Sequence, residues 1–188
     1  MIKIGITGSI ASGKTTASKI LSFRRGPLFS ADKITRELYR NINFKNLLIK
    51  EFKLEKKKNI KFLLKKVILK NQKKIKKLEK IIHPIVRKKM RKFYLLHKKE
   101  KKIFYEIPLL IESKLMNYFD IIIFIKASKK IRLKRFKTKG GNKKLFDILN
   151  KNQLTDKEKI RFANHVVVNE KNLDILKKNL SSIIKMYE

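Results

Sequence analysis

An α/β fold, with a parallel five-stranded sheet flanked by helices, is predicted by three observations on this 188-residue chain. Five short β-rich runs recur, at Ile2–Thr7, Leu28–Ser30, Ile103–Ile107, Ile121–Ile125 and Val166–Val168. The segments between them are mostly helical in pattern, and strands that alternate with helices give a parallel sheet covered on both faces. The third observation is the junction Gly8-Ser9-Ile10-Ala11-Ser12-Gly13-Lys14-Thr15, which joins the first apolar run to the amphipathic stretch Lys14–Phe23. Strand, glycine-bearing loop and helix in that order are the context of a phosphate-binding P-loop.

The two glycines of this junction let the backbone wrap an anion and turn several N–H groups toward it, while the following helix directs its positive end at the same point. Lys14 is then placed to reach the β- and γ-phosphates of ATP, and the Thr15 hydroxyl to take one position on Mg²⁺. Gly8, Ala11, Ser12, Gly13, Lys14, Thr15 and Thr16 form the expected nucleotide-binding set. A plain helix entry with a surface lysine explains neither the second glycine nor the hydroxyl pair Thr15-Thr16.

The interval Lys33–Lys102 lacks a clear strand but carries apolar residues at helical spacing, for example Leu63, Leu64, Val67 and Ile68, then Leu78, Ile81, Ile82 and Ile85. It reads as a helical insertion, in which Pro84 is expected to kink or restart a helix. A second insertion, from Gly140 to about Asn164, opens with a glycine pair and continues as two short amphipathic helices, an arrangement that suits a mobile lid. The closing stretch Leu173–Tyr187 is an amphipathic helix expected to pack back on the sheet. The organisation expected is one domain with a core of 1–32, 103–139 and 165–188, a helical insertion 33–102 and a lid 140–164. Lysine tracts such as Lys56-Lys57-Lys58 read as solvated surface.

The chain is long enough for one full core and too short for two independent domains. It has no cysteine, which excludes a disulfide framework and thiolate metal sites. The first run starts at residue 2, leaving no room for a signal peptide, and no apolar run approaches the ~20 residues that span a bilayer. A soluble, cytoplasmic protein without a membrane partner is expected, as a monomer or weak homo-oligomer. The net charge of +36 reads at first as nucleic-acid binding. Yet lysine supplies 42 of the 51 basic residues and arginine nine, the lysines are spread along the chain, and the abundant residues share A/T-rich codons. Mutational bias accounts for that pattern, because arginine, the better phosphate fork, is not what accumulated. No specific nucleic-acid partner is expected.

Open α/β sheets bind ligands at the carboxyl ends of their strands. Asp32 follows the second run there, in Ser30-Ala31-Asp32-Lys33, and it reads either as a proton acceptor for an attacking hydroxyl or as the N-cap of a helix beginning at Lys33. Glu106 ends the third run and reads either as a support for Mg²⁺ through water or as a residue of no catalytic consequence. His83, before Pro84, reads either as a functional residue or as a turn or packing residue.

Taken together, Thr7–Thr16, Ser30-Ala31-Asp32-Lys33-Ile34-Thr35-Arg36, Ile82-His83-Pro84-Ile85, Glu106-Ile107-Pro108-Leu109-Leu110-Ile111-Glu112, and Gln153 followed by Lys159, Ala163 and Asn169 resemble the dephospho-CoA kinase family in order and spacing. The resemblance covers nearly the whole chain. It implies that ATP phosphorylates the ribose 3′-hydroxyl of dephospho-coenzyme A, the last step of coenzyme A synthesis. It further implies that Asp32 is the general base, that Lys14 and Thr15 serve ATP and Mg²⁺, and that Arg135 contacts the migrating phosphoryl group. The substrate side it implies comprises Asp32, Arg36, His83, Glu106 and Pro108, with the Lys33–Lys102 helices holding the acceptor.

The chain departs from the family pattern at several positions. Ser9 and Ala11 stand where glycine is more usual, Ser30 and Glu106 where aspartate is, Lys139 where arginine is, and Asn164 where aspartate is. The small side chains at positions 9 and 11 fit if φ stays negative there. Lys139 keeps the charge of arginine but loses its fork, which leaves Arg135 as the stronger phosphate contact. Other readings of the chain are a different P-loop small-molecule kinase, of nucleoside or shikimate type, and a basic nucleic-acid-binding ATPase.

Overall fold

The runs rich in β-branched and aromatic residues form the strands that their composition favours. In a computed structural model, which describes residues 1–55, 59–71 and 73–187, these are β1 (Ile2–Thr7), β2 (Leu28–Ser30), β3 (Lys102–Glu106), β4 (Ile121–Lys126) and β5 (His165–Val168). The helices are α1 (Lys14–Ser22), α2 (Ala31–Leu38), α3 (Ile42–Phe52), α4 (Ile60–Lys70), α5 (Lys73–Leu96), α6 (Lys129–Thr138), α7 (Lys143–Lys151), α8 (Asp156–Ile160) and α9 (Leu173–Lys185). The tract Lys56–Lys58 lies outside the described residues. The chain divides into two compact units, Met1–Ser30 with Tyr94–Glu188, and Ala31–Phe93.

The first unit holds the sheet, in the order β2-β3-β1-β4-β5 with every pair parallel. Connections leave β1 toward β2 on one side and β3 toward β4 on the other, so the crevice at the carboxyl ends of β1 and β3 is the switch point where such sheets take ligands. Ile4, Ile6, Ile123 and Ile125 are almost fully buried, as strands covered on both faces require. Ala17 and Leu21 of α1 pack on them together with Leu176, Leu180 and Ile184, the i, i+4, i+8 stripe of α9. At Gly5 a Cβ would lie 2.8 Å from Leu110 and 2.9 Å from Phe119, so only glycine leaves room for those side chains on β1.

The second unit is helical. Phe44, Leu48 and Phe52 of α3 form one stripe and bury it against Leu64 of α4 and against Leu78, Ile81, Ile82 and Ile85 of α5. Asn41 and Asn59 cap α3 and α4, each accepting backbone N–H bonds through its side chain. Of the kink or restart expected at Pro84, the restart does not occur, because α5 is continuous from Lys73 to Leu96 with the proline inside it. Proline removes the bond to the Lys80 carbonyl, and both residues are exposed, so the missing donor costs less than it would in a buried helix. Among the described residues no helix is long and apolar enough to cross a membrane.

Candidate active site

The phosphate loop is wound as its glycines demand. Gly8 has φ +150°, and a Cβ there would run into the Ile125 carbonyl. Gly13 has φ +97°, and a Cβ there would overlap the Asn169 amide. Ser9 meets the condition of negative φ, and Ala11 does not: it adopts φ +59°. The loop needs a left-handed residue there to keep turning, and alanine carries the smallest side chain that pays a penalty for it, about 1–2 kcal/mol.

The loop delivers the chain into α1 from Gly13, with no side-chain cap and no acidic residue in the first turn. Helices α7, α8 and α9 of the same unit are capped by Asn142, Thr155 and Asn172. The positive end of α1 is thus left for an anion. Ser12 adds to this, since its Oγ is buried at the centre of the loop without a hydrogen-bond partner among the described residues. An orphaned hydroxyl of this kind is unfavourable until an acceptor such as a phosphate oxygen arrives. Lys14 is 7% exposed, and its Nζ donates to the Ser9 carbonyl at 2.9 Å.

Glu106 is the centre of the second cluster. The register sets Ile6 and Ser30 on either side of it, and the residue is fully buried. Its Oε1 accepts from Thr15 Oγ1 at 2.5 Å and its Oε2 from Ser30 Oγ at 2.7 Å. Both donors are neutral hydroxyls, and the Thr15 hydroxyl keeps a lone pair for a cation. Hard oxygen donors on one or two side chains, with phosphate oxygens and water completing the shell, suit Mg²⁺. Among the described residues no group of three or more His, Cys, Asp or Glu side chains forms a metal cage.

Two arginines of α6 close on the loop. Arg135 Nη1 donates to the Ser12 carbonyl at 3.3 Å, beside Asn169 Nδ2, which donates to the same oxygen at 2.8 Å. Arg132 is buried; its Nε donates to the Ala127 carbonyl at 3.1 Å, and its Nη1 to the Ile10 carbonyl at 3.4 Å and to Asn150 Oδ1 at 2.7 Å. Burial pulls the Arg132 pKa below the usual arginine value, while the Asp156 carboxylate works in the opposite direction. From the segment 140–164, Gln153 Oε1 accepts from the Ile10 N–H at 3.0 Å, and Asp156 accepts from the Ser9 hydroxyl. Gly140 has φ +80° with open space around it, whereas Gly141 is small because the Phe136 ring occupies the place of a side chain. A cavity of about 310 Å³ beside the loop is bounded by Thr16, Arg135, Lys139 and Asn169 on its polar side and by Leu173 and Leu176 on its apolar side. Such a mixture fits a flat heterocycle with phosphates at one end.

Other expected residues have simpler surroundings. Pro108, in the first unit, is half-buried and its carbonyl accepts from Thr7 Oγ1 at 3.2 Å. Asp32 belongs to the second unit and is the second residue of α2, which begins at Ala31. The alternative of an N-cap on a helix starting at Lys33 is therefore corrected, although a carboxylate in the first turn still favours the helix dipole. Arg36 is exposed in the last turn of α2. His83 is half-buried in α5, where burial, and then the charge of Arg87, push its pKa down. Arg132 and Asp156 were not anticipated from sequence, and Gln153 and Asn169 were placed in the family pattern without a role. Arginine's scarcity in a lysine-rich chain was the available signal for Arg132.

Comparison with known proteins agrees with this geometry. The family model described as dephospho-CoA kinase matches residues 2–174. A dephospho-CoA kinase of Fusobacterium nucleatum is 35% identical over 184 residues, covering 93% of each chain. One of Rickettsia typhi is 33% identical, covering 100% of this chain and 98% of its own. The solved dephospho-CoA kinase of Campylobacter jejuni superposes with a TM-score of 0.67 at 27% identity, over 98% of this chain and 96% of its own. A match of this extent spans the loop, the helical unit and the segment that reaches back to the loop, and the chain therefore belongs to the dephospho-CoA kinase family of phosphotransferases.

Proposed function

We propose that this chain transfers the γ-phosphoryl group of ATP to the ribose 3′-hydroxyl of dephospho-coenzyme A, giving coenzyme A, ADP and a proton. The family match over residues 2–174 carries this reading, since it takes in both the phosphate loop and the helical insertion. Lys14, the Ser12 hydroxyl and the uncapped start of α1 hold the phosphates. Thr15 and Glu106 would hold Mg²⁺, which when bound neutralises charge on the β- and γ-phosphates. Arg135 is assigned to the migrating phosphoryl group, and Asp32 accepts the proton of the attacking hydroxyl. Catalysis is then positioning plus charge stabilisation.

The acceptor is assigned to the helices between 33 and 102, with Arg36 and His83, and to Glu106 and Pro108 of the sheet unit. The segment 140–164 is assigned as a lid over ATP, supported by the left-handed Gly140 at its start and by its own contacts with Ser9 and Ile10. A cytoplasmic setting, a monomer or weak homo-oligomer, and the absence of a specific nucleic-acid partner complete the proposal, the last supported by the dispersed lysines. The test is an ADP-release assay with purified protein against dephospho-coenzyme A, adenosine, nucleoside monophosphates and shikimate. Preferred turnover of dephospho-coenzyme A is expected; preferred turnover of any other acceptor would overturn the assignment.

A further inference from the structure

Lys159 is fully buried, and nothing in the chemistry above uses its charge. Its ammonium lies 2.7 Å from Glu112 Oε1, the two side chains being 0% and 15% exposed. The same Oε1 accepts the Leu154 N–H at 3.2 Å. Glu112, from the loop after β3, therefore holds both ends of the stretch 154–159. The pair is not ideal in itself, since among the described residues Lys159 Nζ has no well-aligned hydrogen-bond acceptor and Glu112 Oε2 has no hydrogen-bond partner. Desolvation offsets much of the attraction in such buried pairs, so stability alone is a weak reason to build one.

What the pair clamps gives a better reason. Gln153, directly before Leu154, accepts the Ile10 N–H through Oε1 at 3.0 Å, and Asp156, within the clamped stretch, accepts the Ser9 hydroxyl. Between those anchor points lies the Ser9 carbonyl, which receives Lys14 Nζ at 2.9 Å. The contacts run without a gap from Lys159 and Glu112, through Gln153 and Asp156, to the peptide that aims the phosphate-binding lysine. Ser9 is part of this arrangement through its side chain, which a glycine at that position could not supply.

We propose that Lys159 is a positioning residue for nucleotide binding: paired with Glu112, it holds Gln153 and Asp156 so that they fix the Ser9–Ile10 peptide and the mouth of the phosphate loop. It acts through these residues and touches no substrate. The proposal rests on nucleotide binding at the loop and is independent of which acceptor is phosphorylated.

The experiment is calorimetric titration of the full chain with ATP and Mg²⁺ in the absence of acceptor. Lys159→Met is expected to weaken binding roughly tenfold, in line with the sensitivity of such sites to small misplacements. Gln153→Ala should give a similar loss. If Lys159 acts through Gln153, the double variant binds no more weakly than the worse single variant, because the two changes break one chain of contacts. Losses that multiply in the double variant would overturn the proposal. Since Lys159→Met strands a buried carboxylate, Glu112→Met with Lys159→Met provides a variant with no lone buried charge. It should fold and show the same loss. Wild-type affinity in that variant, or in Lys159→Met, would also overturn the proposal, whereas a wild-type protein that binds ATP but does not turn over dephospho-coenzyme A would count against the acceptor assignment alone.

Discussion

Lys14 Nζ donates to the carbonyl of Ser9 at 2.9 Å, so the phosphate-binding lysine is held by the loop that it serves. The residue is 7% exposed, so its ammonium is largely desolvated and held against the loop. An incoming phosphate therefore finds the charge pre-positioned and exchanges a neutral carbonyl partner for an ionic one, which makes a stronger hydrogen bond.

Lys14→Ala should lower kcat/KM by at least roughly 10²-fold, the scale for loss of one pre-organised donor to transition-state charge. It should also weaken ATP binding, because the ammonium meets the phosphates in the ground state as well. Steady-state kinetics with a parallel titration by ATP separate the two effects. Unchanged affinity would mean that Lys14 serves the chemical step alone.

Ala11→Gly should stabilise the protein. Alanine at φ +59° bears the left-handed penalty, of about 1 kcal/mol, that glycine escapes, and at such a position this outweighs the greater freedom of glycine in the unfolded chain. An increase of about 0.5–1 kcal/mol in unfolding free energy is expected by urea titration. Ala17→Gly, inside α1, should have the opposite sign. Destabilisation by Ala11→Gly would show that the loop is not strained at that residue.

Much of this architecture was legible before any coordinates. The runs at Ile2–Thr7 and Leu28–Ser30 coincide with β1 and β2, the first rich in β-branched residues and ended by Gly8, the second a short apolar run that follows Gly26-Pro27. The loop was legible because its glycines, lysine and threonine are close in sequence. The contacts of Asp156 with Ser9 and of Gln153 with Ile10 were not, since they join residues 147 and 143 positions apart. No local pattern encodes such pairings. That the helix runs on through Pro84 was not legible for a different reason: the helical penalty of proline is an average, and an exposed position leaves the freed carbonyl open to solvent. The left-handed backbone at Ala11 was not legible either, because a preference for glycine at positive φ is not a prohibition of alanine.

Asp32→Asn preserves shape and removes the proton acceptor, so kcat should fall by roughly 10²–10⁴-fold while ATP affinity stays near wild type. Steady-state kinetics with dephospho-coenzyme A check the first half and calorimetry the second. A variant with near wild-type kcat would reduce Asp32 to a favourable charge in the first turn of α2.

His83 should titrate below 6.5, its ordinary value, with burial as the main cause and Arg87 as the second. The sign for stability follows. The unfolded chain takes up the proton first as pH falls, so the contribution of neutral His83 is present above pH 6.5 and is lost as pH falls below that value toward its folded pKa. Proton NMR of the imidazole gives the midpoint directly. In Arg87→Ala the midpoint should rise yet remain below 6.5, because burial is the larger cause; a midpoint at or above 6.5 in the wild type would contradict this environment.

The most direct measurement is phosphorus NMR of the product formed from ATP, Mg²⁺ and dephospho-coenzyme A. One new phosphomonoester resonance, coupled to the ribose 3′ proton and growing in step with ADP, is the predicted result. Phosphorylation at another hydroxyl, or ADP formed with inorganic phosphate and no new monoester, would contradict transfer to the ribose 3′-hydroxyl.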